Sequence, residues 1–186
     1  MKTSVILLSA FCSLFVFVSC SKAQSSSKLN LRTVEQLDLD RYLGKWYEIA
    51  RYDHSFERGL EACTAEYSLR PDNKIRVVNS GYNAKKNQFK TSVGKAIRPN
   101  PELEPGKLKV SFFLWFYGDY NVLELDQENY SYVLIGSSTD NYLWILSRTP
   151  VMSDADKSLL TERASQRGYD ISRLIWVNQD INLRKK

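Results

Sequence analysis

Short stretches of alternating apolar and polar residues follow one another through most of the chain, with turn-forming residues between them. A period of two is typical of strands that bury one face, and many short strands in succession predict an all-β barrel or sandwich. All five prolines lie outside these stretches, as a hydrogen-bonded sheet requires. The predicted strands lie near residues 44–52, 61–69, 74–81, 88–97, 107–116, 119–126, 130–137 and 141–148.

One helix is predicted after the eighth strand. Ser153 is a good N-cap, Asp156 follows it at the spacing of a loose capping box, and Gly168 is suited to the C-terminal cap. A short last strand is predicted near residues 171–177. Gly94 lies inside the fourth predicted strand, where a glycine indicates a kink or bulge.

The alternation also assigns the side chains that face the interior. Cys63 is expected there as a small buried residue, and an eight-stranded barrel leaves room for side chains or one small ligand. These inward positions are the candidate ligand-binding residues. They are Ala65, Tyr67, Val110, Phe112, Leu114, Tyr120, Tyr142 and Trp144.

The first residues have the pattern of a secretory signal peptide. Lys2 precedes an apolar run over residues 5–18, which is too short to span a membrane. Two cleavage sites compete: a lipobox ending at Cys20, whose thiol would carry lipid, and ordinary cleavage after Ala23. The first gives four segments: a signal peptide (1–19), a lipidated Ser-rich tether (20–33), the barrel (34–180) and a basic tail (181–186).

Cysteine count and charge exclude some alternatives. With Cys20 lipidated, Cys63 is the one thiol left in the mature chain, so no disulfide can form within it. Loss of residues 1–19 removes Lys2 alone among charged residues, so the net charge falls from +5 to +4. This mild basicity, without a Lys/Arg block in the domain, gives no support for nucleic-acid binding.

The start of the first strand and the end of the eighth carry a motif. Gly44 and Trp46 open the first strand, and Arg148 closes the eighth, where its guanidinium can stack on the indole for roughly 0.5–2 kcal/mol. This pattern resembles the lipocalins. The resemblance implies an eight-stranded antiparallel up-and-down barrel with one C-terminal helix and a short last strand, closed at one end by this pair. Asp126 matches the remaining part of the second family motif.

Within that family the chain is similar to the bacterial outer-membrane lipocalins and to apolipoprotein D. Residues 44–51, 53–59 and 144–150 carry this similarity, which extends over residues 34–180. It implies transport or storage of a small lipophilic ligand, a fatty acid or lysophospholipid, without a cofactor or metal. It also implies a lipid anchor in the outer membrane, with the barrel facing the periplasm. Side chains expected near the mouth to hold an anionic headgroup are Arg51, Arg58 and Tyr120.

An enzyme of the same fold is the first alternative function. His54 is the one histidine, and a packing role is expected for it, since the chain has no nucleophile elbow and no metal-ligand set. The acids expected to face inward are Glu48, Glu124 and Asp126.

A surface interaction module is the second alternative. Phe113 and Trp115 are expected on the outward face at the mouth, whereas Phe112 and Phe116 are expected in the core. A homodimer and a membrane contact are both compatible with such an exposed aromatic cluster.

Overall fold

The computed structural model describes residues 29–180 and residue 182. The signal peptide, Cys20, most of the tether and nearly all of the basic tail therefore lie outside the described residues. Within the described part of the chain, no helix is long and apolar enough to cross a bilayer.

The described residues form a closed antiparallel β-barrel. Strands β2 to β8 pair in sequence order, and β1 closes the cylinder by pairing with both β8 and β2. The ninth strand adds to the second half of β1, where β2 has left it. The strands are β1 Gly44–Tyr52, β2 Leu60–Leu69, β3 Ile75–Asn83, β4 Gln88–Ile97, β5 Lys107–Phe113, β6 Phe116–Leu125, β7 Tyr132–Gly136, β8 Leu143–Ser147 and β9 Leu174–Trp176.

Three helical segments lie outside this cylinder. Helix α1 (Leu39–Tyr42) precedes β1, α2 (Asp154–Gln166) follows β8, and a 3₁₀ turn (Ile171–Arg173) leads into β9. These assignments confirm the predicted fold class, including the C-terminal helix and the short last strand.

The hairpin connections alternate between the two ends of the barrel. We call the end that contains Trp46 the closed end and the opposite end the open end. At the closed end lie the turns 70–74, 98–106 and 126–131, and at the open end lie the loops 53–59, 84–87, 114–115 and 137–142.

Helix α2 packs on the outside of the barrel through Leu160 and Ala164, which are fully buried. Ser153 caps its first turn, accepting a 3.0 Å hydrogen bond from the Asp156 amide, as predicted. Gly168 follows the helix with φ +93°, a left-handed conformation that ends helices readily at glycine.

The chain packs against the barrel before residue 34, where the barrel is predicted to begin. The Asn30 amide donates to the Arg167 carbonyl (2.9 Å), and the Arg167 side chain donates to the carbonyl oxygens of Asn30 and Arg32. Residues 29–33, predicted as the end of the tether, thus lie beside the end of α2.

Two strand features differ from the prediction. The fifth strand ends at Phe113, because Leu114, with φ +50°, and Trp115 form the turn into β6. Gly94 does not mark a bulge, since the β3–β4 register is regular through it. A Cβ there would lie 2.6 Å from the Ser111 carbonyl oxygen, so glycine permits close approach of β5.

Candidate ligand-binding cavity

The barrel encloses a cavity of about 630 Å³ that opens between the loops of the open end. This volume is typical of sites that hold a small organic ligand. Its wall combines aliphatic and aromatic side chains with a few polar groups. The main lining residues are Glu48, Phe56, Glu57, Leu60, Cys63, Ala65, Tyr67, Val77, Lys90, Val110, Phe112, Tyr117, Tyr120, Ile135, Tyr142, Trp144 and Leu146.

All but one of the candidate ligand-binding residues line this cavity. The exception is Leu114, which lies in the β5–β6 turn and is 53% exposed. Its assignment to the interior is wrong because a register shift between Val110 and Phe113 breaks the alternation of β5. Ser111 is consequently buried, and Phe112 touches the cavity only from its rim. Phe116, expected in the core, is exposed for the same reason.

The closed end is sealed by the predicted stack of Arg148 on Trp46. The guanidinium carbon lies 3.8 Å from the indole centroid, and Trp46 is fully buried. Arg148 also donates hydrogen bonds to the carbonyl oxygens of Lys45 (3.0 Å), Tyr42 (3.1 Å) and Tyr130 (3.2 Å). Gly44, with φ +92°, is required beside it, because a left-handed backbone strains any other side chain.

The hydroxyls of Tyr67 and Tyr120 form a polar floor to the cavity, and that of Tyr42 lies behind them. The Tyr120 hydroxyl lies 2.6 Å from that of Tyr42 and 2.9 Å from that of Tyr67. Burial raises the pKa of all three phenols, so they stay neutral. Tyr120 is therefore at the bottom of the cup, and its expected place near the mouth is wrong.

Two of the acids expected to face inward do not reach the cavity. Glu124 lies on the outer face, where its carboxylate pairs with Arg167 at 2.8 Å. Asp126 organises the β6–β7 turn, accepting from the amides of Glu128 and Asn129 and from the Ser131 hydroxyl. Strand β6 carries a register shift between Val122 and Glu124, which reverses the expected faces. The hydrogen bonds of Asp126 thus hold the 126–131 turn in shape at the closed end.

Glu48 does face the cavity, together with a second acid that the alternation could not identify. Glu48 pairs with Arg51 at 2.5 Å, and both side chains are buried. Glu57 comes from the 53–59 loop and accepts a 3.2 Å hydrogen bond from the Trp144 indole. Burial raises the pKa of Glu48 to about 8; the nearby Glu57 adds to the shift and Arg51 opposes it. Burial also raises the pKa of Glu57.

The raised pKa of Glu48 predicts a pH-dependent stability. Its contribution is complete below its ordinary pKa of 4.5 and is lost as the pH rises through about 8, because the folded state holds the proton more tightly. Glu48→Gln, which mimics the neutral form, should therefore gain melting temperature relative to the parent between pH 5 and pH 9. Titratable groups that do not interact with Glu48 cancel in this difference. A difference that stays constant over that range would show that Glu48 is not shifted.

Aromatic rings from two loops and from β8 form the wall next to Glu57. His54 stacks on Phe56 at 4.3 Å and contacts Trp144 at 5.0 Å and Tyr142 at 5.5 Å between ring centroids. Burial lowers the pKa of His54 to about 4, with the positive charge of Arg51 adding to the shift, so the ring is neutral and packs as predicted.

Cys63 is likewise buried, as predicted, and burial raises the pKa of its thiol. A neutral thiol of this kind is a poor nucleophile.

The cation at the cavity wall is Lys90, which sequence reasoning missed. Arg51 donates to the carbonyl oxygens of Glu57 and Leu60 and so holds the 53–59 loop, and Arg58 pairs with Asp53 at 2.9 Å. Neither arginine lines the cavity. Lys90 does, near the start of β4, and its amine donates to the Phe56 carbonyl at 3.2 Å.

A barrel sealed at one end, with an apolar cavity open at the other, defines a protein that binds small hydrophobic molecules. Residues 37–179 match the family model described as the Lipocalin-like domain. The chain belongs to the lipocalin family.

Named relatives agree with this assignment. The chain is 46% identical to the outer membrane lipoprotein Blc of Escherichia coli K12, over 93% of this chain and 96% of that protein. It is 49% identical to the Blc of Vibrio cholerae, over 81% and 87%. Bovine apolipoprotein D is 33% identical, over 78% of each chain. The protein is accordingly an outer-membrane lipoprotein.

The solved structures support the fold alone. Insecticyanin from the tobacco hornworm superposes with a TM-score of 0.68, at 21% sequence identity, and covers 83% of this chain and 87% of that one.

Proposed function

We propose that the protein carries one single-chain lipid, a fatty acid or lysophospholipid, within the cell envelope. The observation that carries this proposal is the shape and chemistry of the cavity: a deep apolar cup with Lys90, the cation that lines it among the described residues, on its wall towards the open end. In this arrangement an acyl chain lies between Tyr67 and Trp144, and Lys90 contacts an anionic headgroup. The other candidate ligand contacts are Ala65, Val110, Phe112, Tyr120 and Tyr142.

Burial of an acyl chain supplies enough free energy for useful affinity. About 16 methylenes at about 0.8 kcal/mol each give roughly 13 kcal/mol against water. Micromolar binding needs about 8 kcal/mol, which leaves roughly 5 kcal/mol for the cost of association.

The competitor for the lipid is the bilayer rather than water. Transfer of an acyl chain from one apolar environment to another is nearly neutral, so the cup gains little over a membrane. Single-chain lipids leave membranes readily, whereas two-chain lipids do not. Exchange and scavenging of single-chain lipids therefore suit this protein better than tight storage.

We also propose that Cys20 is the lipidated residue. The Ser-rich residues 21–28 then tether the barrel, and Ser21 follows the cysteine where an Asp would favour the inner membrane. The absence of an acidic run after Cys20 favours a barrel that faces the periplasm. Lipidation gives more than one acyl chain, as stable anchoring requires. Residues 181–186 remain a solvated basic tail in this proposal.

Titration with lysophospholipid tests ligand binding. Trp144 lines the cavity, whereas Trp46 is sealed in the floor and Trp115 and Trp176 are exposed. The mature protein carrying Cys20→Ser should show a saturable change in fluorescence at one lipid per chain, below the lipid's micelle concentration. Trp144→Phe should remove most of that change. A flat titration in the parent would refute lipid carriage.

A further inference from the structure

The tip of the β5–β6 hairpin exposes four consecutive apolar side chains. Phe113 is 67% exposed, Leu114 53%, Trp115 74% and Phe116 68%. The rings of Phe113 and Phe116 stack across the hairpin at 6.3 Å, which keeps the tip in shape. We call residues 113–116 the aromatic tip. Soluble domains rarely present such a continuous apolar group to water unless it binds something.

The aromatic tip lies at the open end, beside the entrance of the cavity. Phe112 and Tyr117 flank it in the sequence, and both line the cavity. The neighbouring β3–β4 turn at the same end carries exposed Lys85 and Lys86. Apolar side chains next to lysines suit a surface whose interior is hydrocarbon and whose headgroups include anions.

We propose that the aromatic tip inserts into the bilayer to which the protein is anchored, so that the open end of the cup faces the membrane. Tryptophan is enriched at membrane interfaces, where its ring can enter the lipid while its N–H stays hydrated, and phenylalanine and leucine are common on the apolar faces of segments that bind there. Lys85 and Lys86 would then contact anionic headgroups. This docking goes beyond lipid carriage, since a cup can bind lipid without touching a bilayer.

The size of the aromatic tip favours a bilayer over a second copy of the chain. Aromatic side chains bury about 150–250 Å² each, so the three partly exposed rings of the tip, with Leu114, offer roughly 500 Å². A stable protein interface needs about 800 Å² on each partner. A narrow, convex tip meets that requirement poorly, whereas insertion into lipid sets no such threshold.

The length of the tether allows this orientation. Eight residues lie between Cys20 and Leu29, where the described chain begins beside α2, and the nine residue-to-residue steps reach up to about 30 Å when extended. The ten residues of β2 span about 33 Å, close to the height of the barrel. Either end can therefore reach the membrane, and the aromatic tip selects the open one.

A fluorescent probe at the aromatic tip tests the proposal. The full-length lipoprotein with Trp115→Cys is labelled with a polarity-sensitive dye and reconstituted into vesicles of phosphatidylethanolamine and phosphatidylglycerol. Cys63 is buried and Cys20 is either lipidated or removed, so the new thiol reacts alone. The matched control is Glu102→Cys, an exposed position in the closed-end turn 98–106. Circular dichroism checks that both variants fold.

The dye at residue 115 should shift to the blue, gain intensity severalfold and be quenched by nitroxide-labelled lipid, while the dye at residue 102 keeps its aqueous spectrum. Equal aqueous spectra at both positions would overturn the proposal. So would a signal at residue 115 that grows with the number of proteins per vesicle, because it would indicate contact with a second copy. The Trp144 titration is read separately, so failure of docking is distinguishable from failure of lipid carriage.

Discussion

Replacement of Trp46 by alanine is expected to lower the free energy of unfolding by about 3–5 kcal/mol, as for other large aromatic residues in cores. Trp46 is fully buried, donates a 2.9 Å hydrogen bond to the Tyr42 carbonyl, and supports the guanidinium of Arg148. For a domain of this size the loss corresponds to a drop in melting temperature of roughly 6–20 °C. Folding should be damaged before lipid binding is.

The matched control is Trp176→Ala, which removes the same side chain from a half-exposed position on β9. Its melting temperature should fall far less. A Trp46→Ala protein that melts with the parent would show that this residue does not form the floor of a core. Urea unfolding supplies the free energies directly, provided both variants keep the same slope.

Replacement of Cys20 by serine is expected to move the protein from the membrane fraction to the soluble periplasmic fraction. Without lipid on residue 20 the proposed anchor is lost, and the aromatic tip alone is too small to hold the protein through washing. Cell fractionation, with mass spectrometry of the N-terminal peptide, measures both the location and the attached lipid.

The parent protein provides the control for this experiment. It should sediment with the outer membrane and carry lipid on its N-terminal peptide. A parent that is soluble in the periplasm, like the variant, would mean that cleavage follows Ala23 and that Cys20 is removed.

Much of the barrel could be predicted from the sequence, because its strands bury one face and alternate regularly. The β8 residues Trp144 and Leu146 face the cavity as expected, and Arg148 reaches Trp46 from the end of that strand. Turn residues and the placement of prolines mark the strand ends, and short connections favour pairing of consecutive strands. The closed end was predictable because the sequence motif identifies both Trp46 and Arg148, whose side chains stack there.

The predicted faces are wrong where a strand departs from regular pairing. Register shifts in β5 and β6 moved Leu114, Phe116 and Glu124 out of the interior, and alternation alone gives no sign of such shifts. The predicted position of Tyr120 near the mouth is wrong, because alternation shows which face of a strand a residue lies on but not its depth in the barrel.

The electrostatic part of the candidate site could not be predicted. Glu57 enters the cavity from a loop whose path depends on the buried Arg51. Lys90 is one of several lysines in its region, and local sequence does not distinguish it from Lys85 or Lys86. Such side chains meet only through the closure of the barrel.

The lipid content of the natively purified protein is the most direct test of lipid carriage. The Cys20→Ser protein, isolated from the periplasm without detergent, is extracted and analysed by mass spectrometry beside an intact-protein spectrum under native conditions. We expect one fatty acid or lysophospholipid per chain, lost on unfolding. A chain with an empty cup and no lipid in its extract, together with no response of Trp144 to added lysophospholipid, would contradict it.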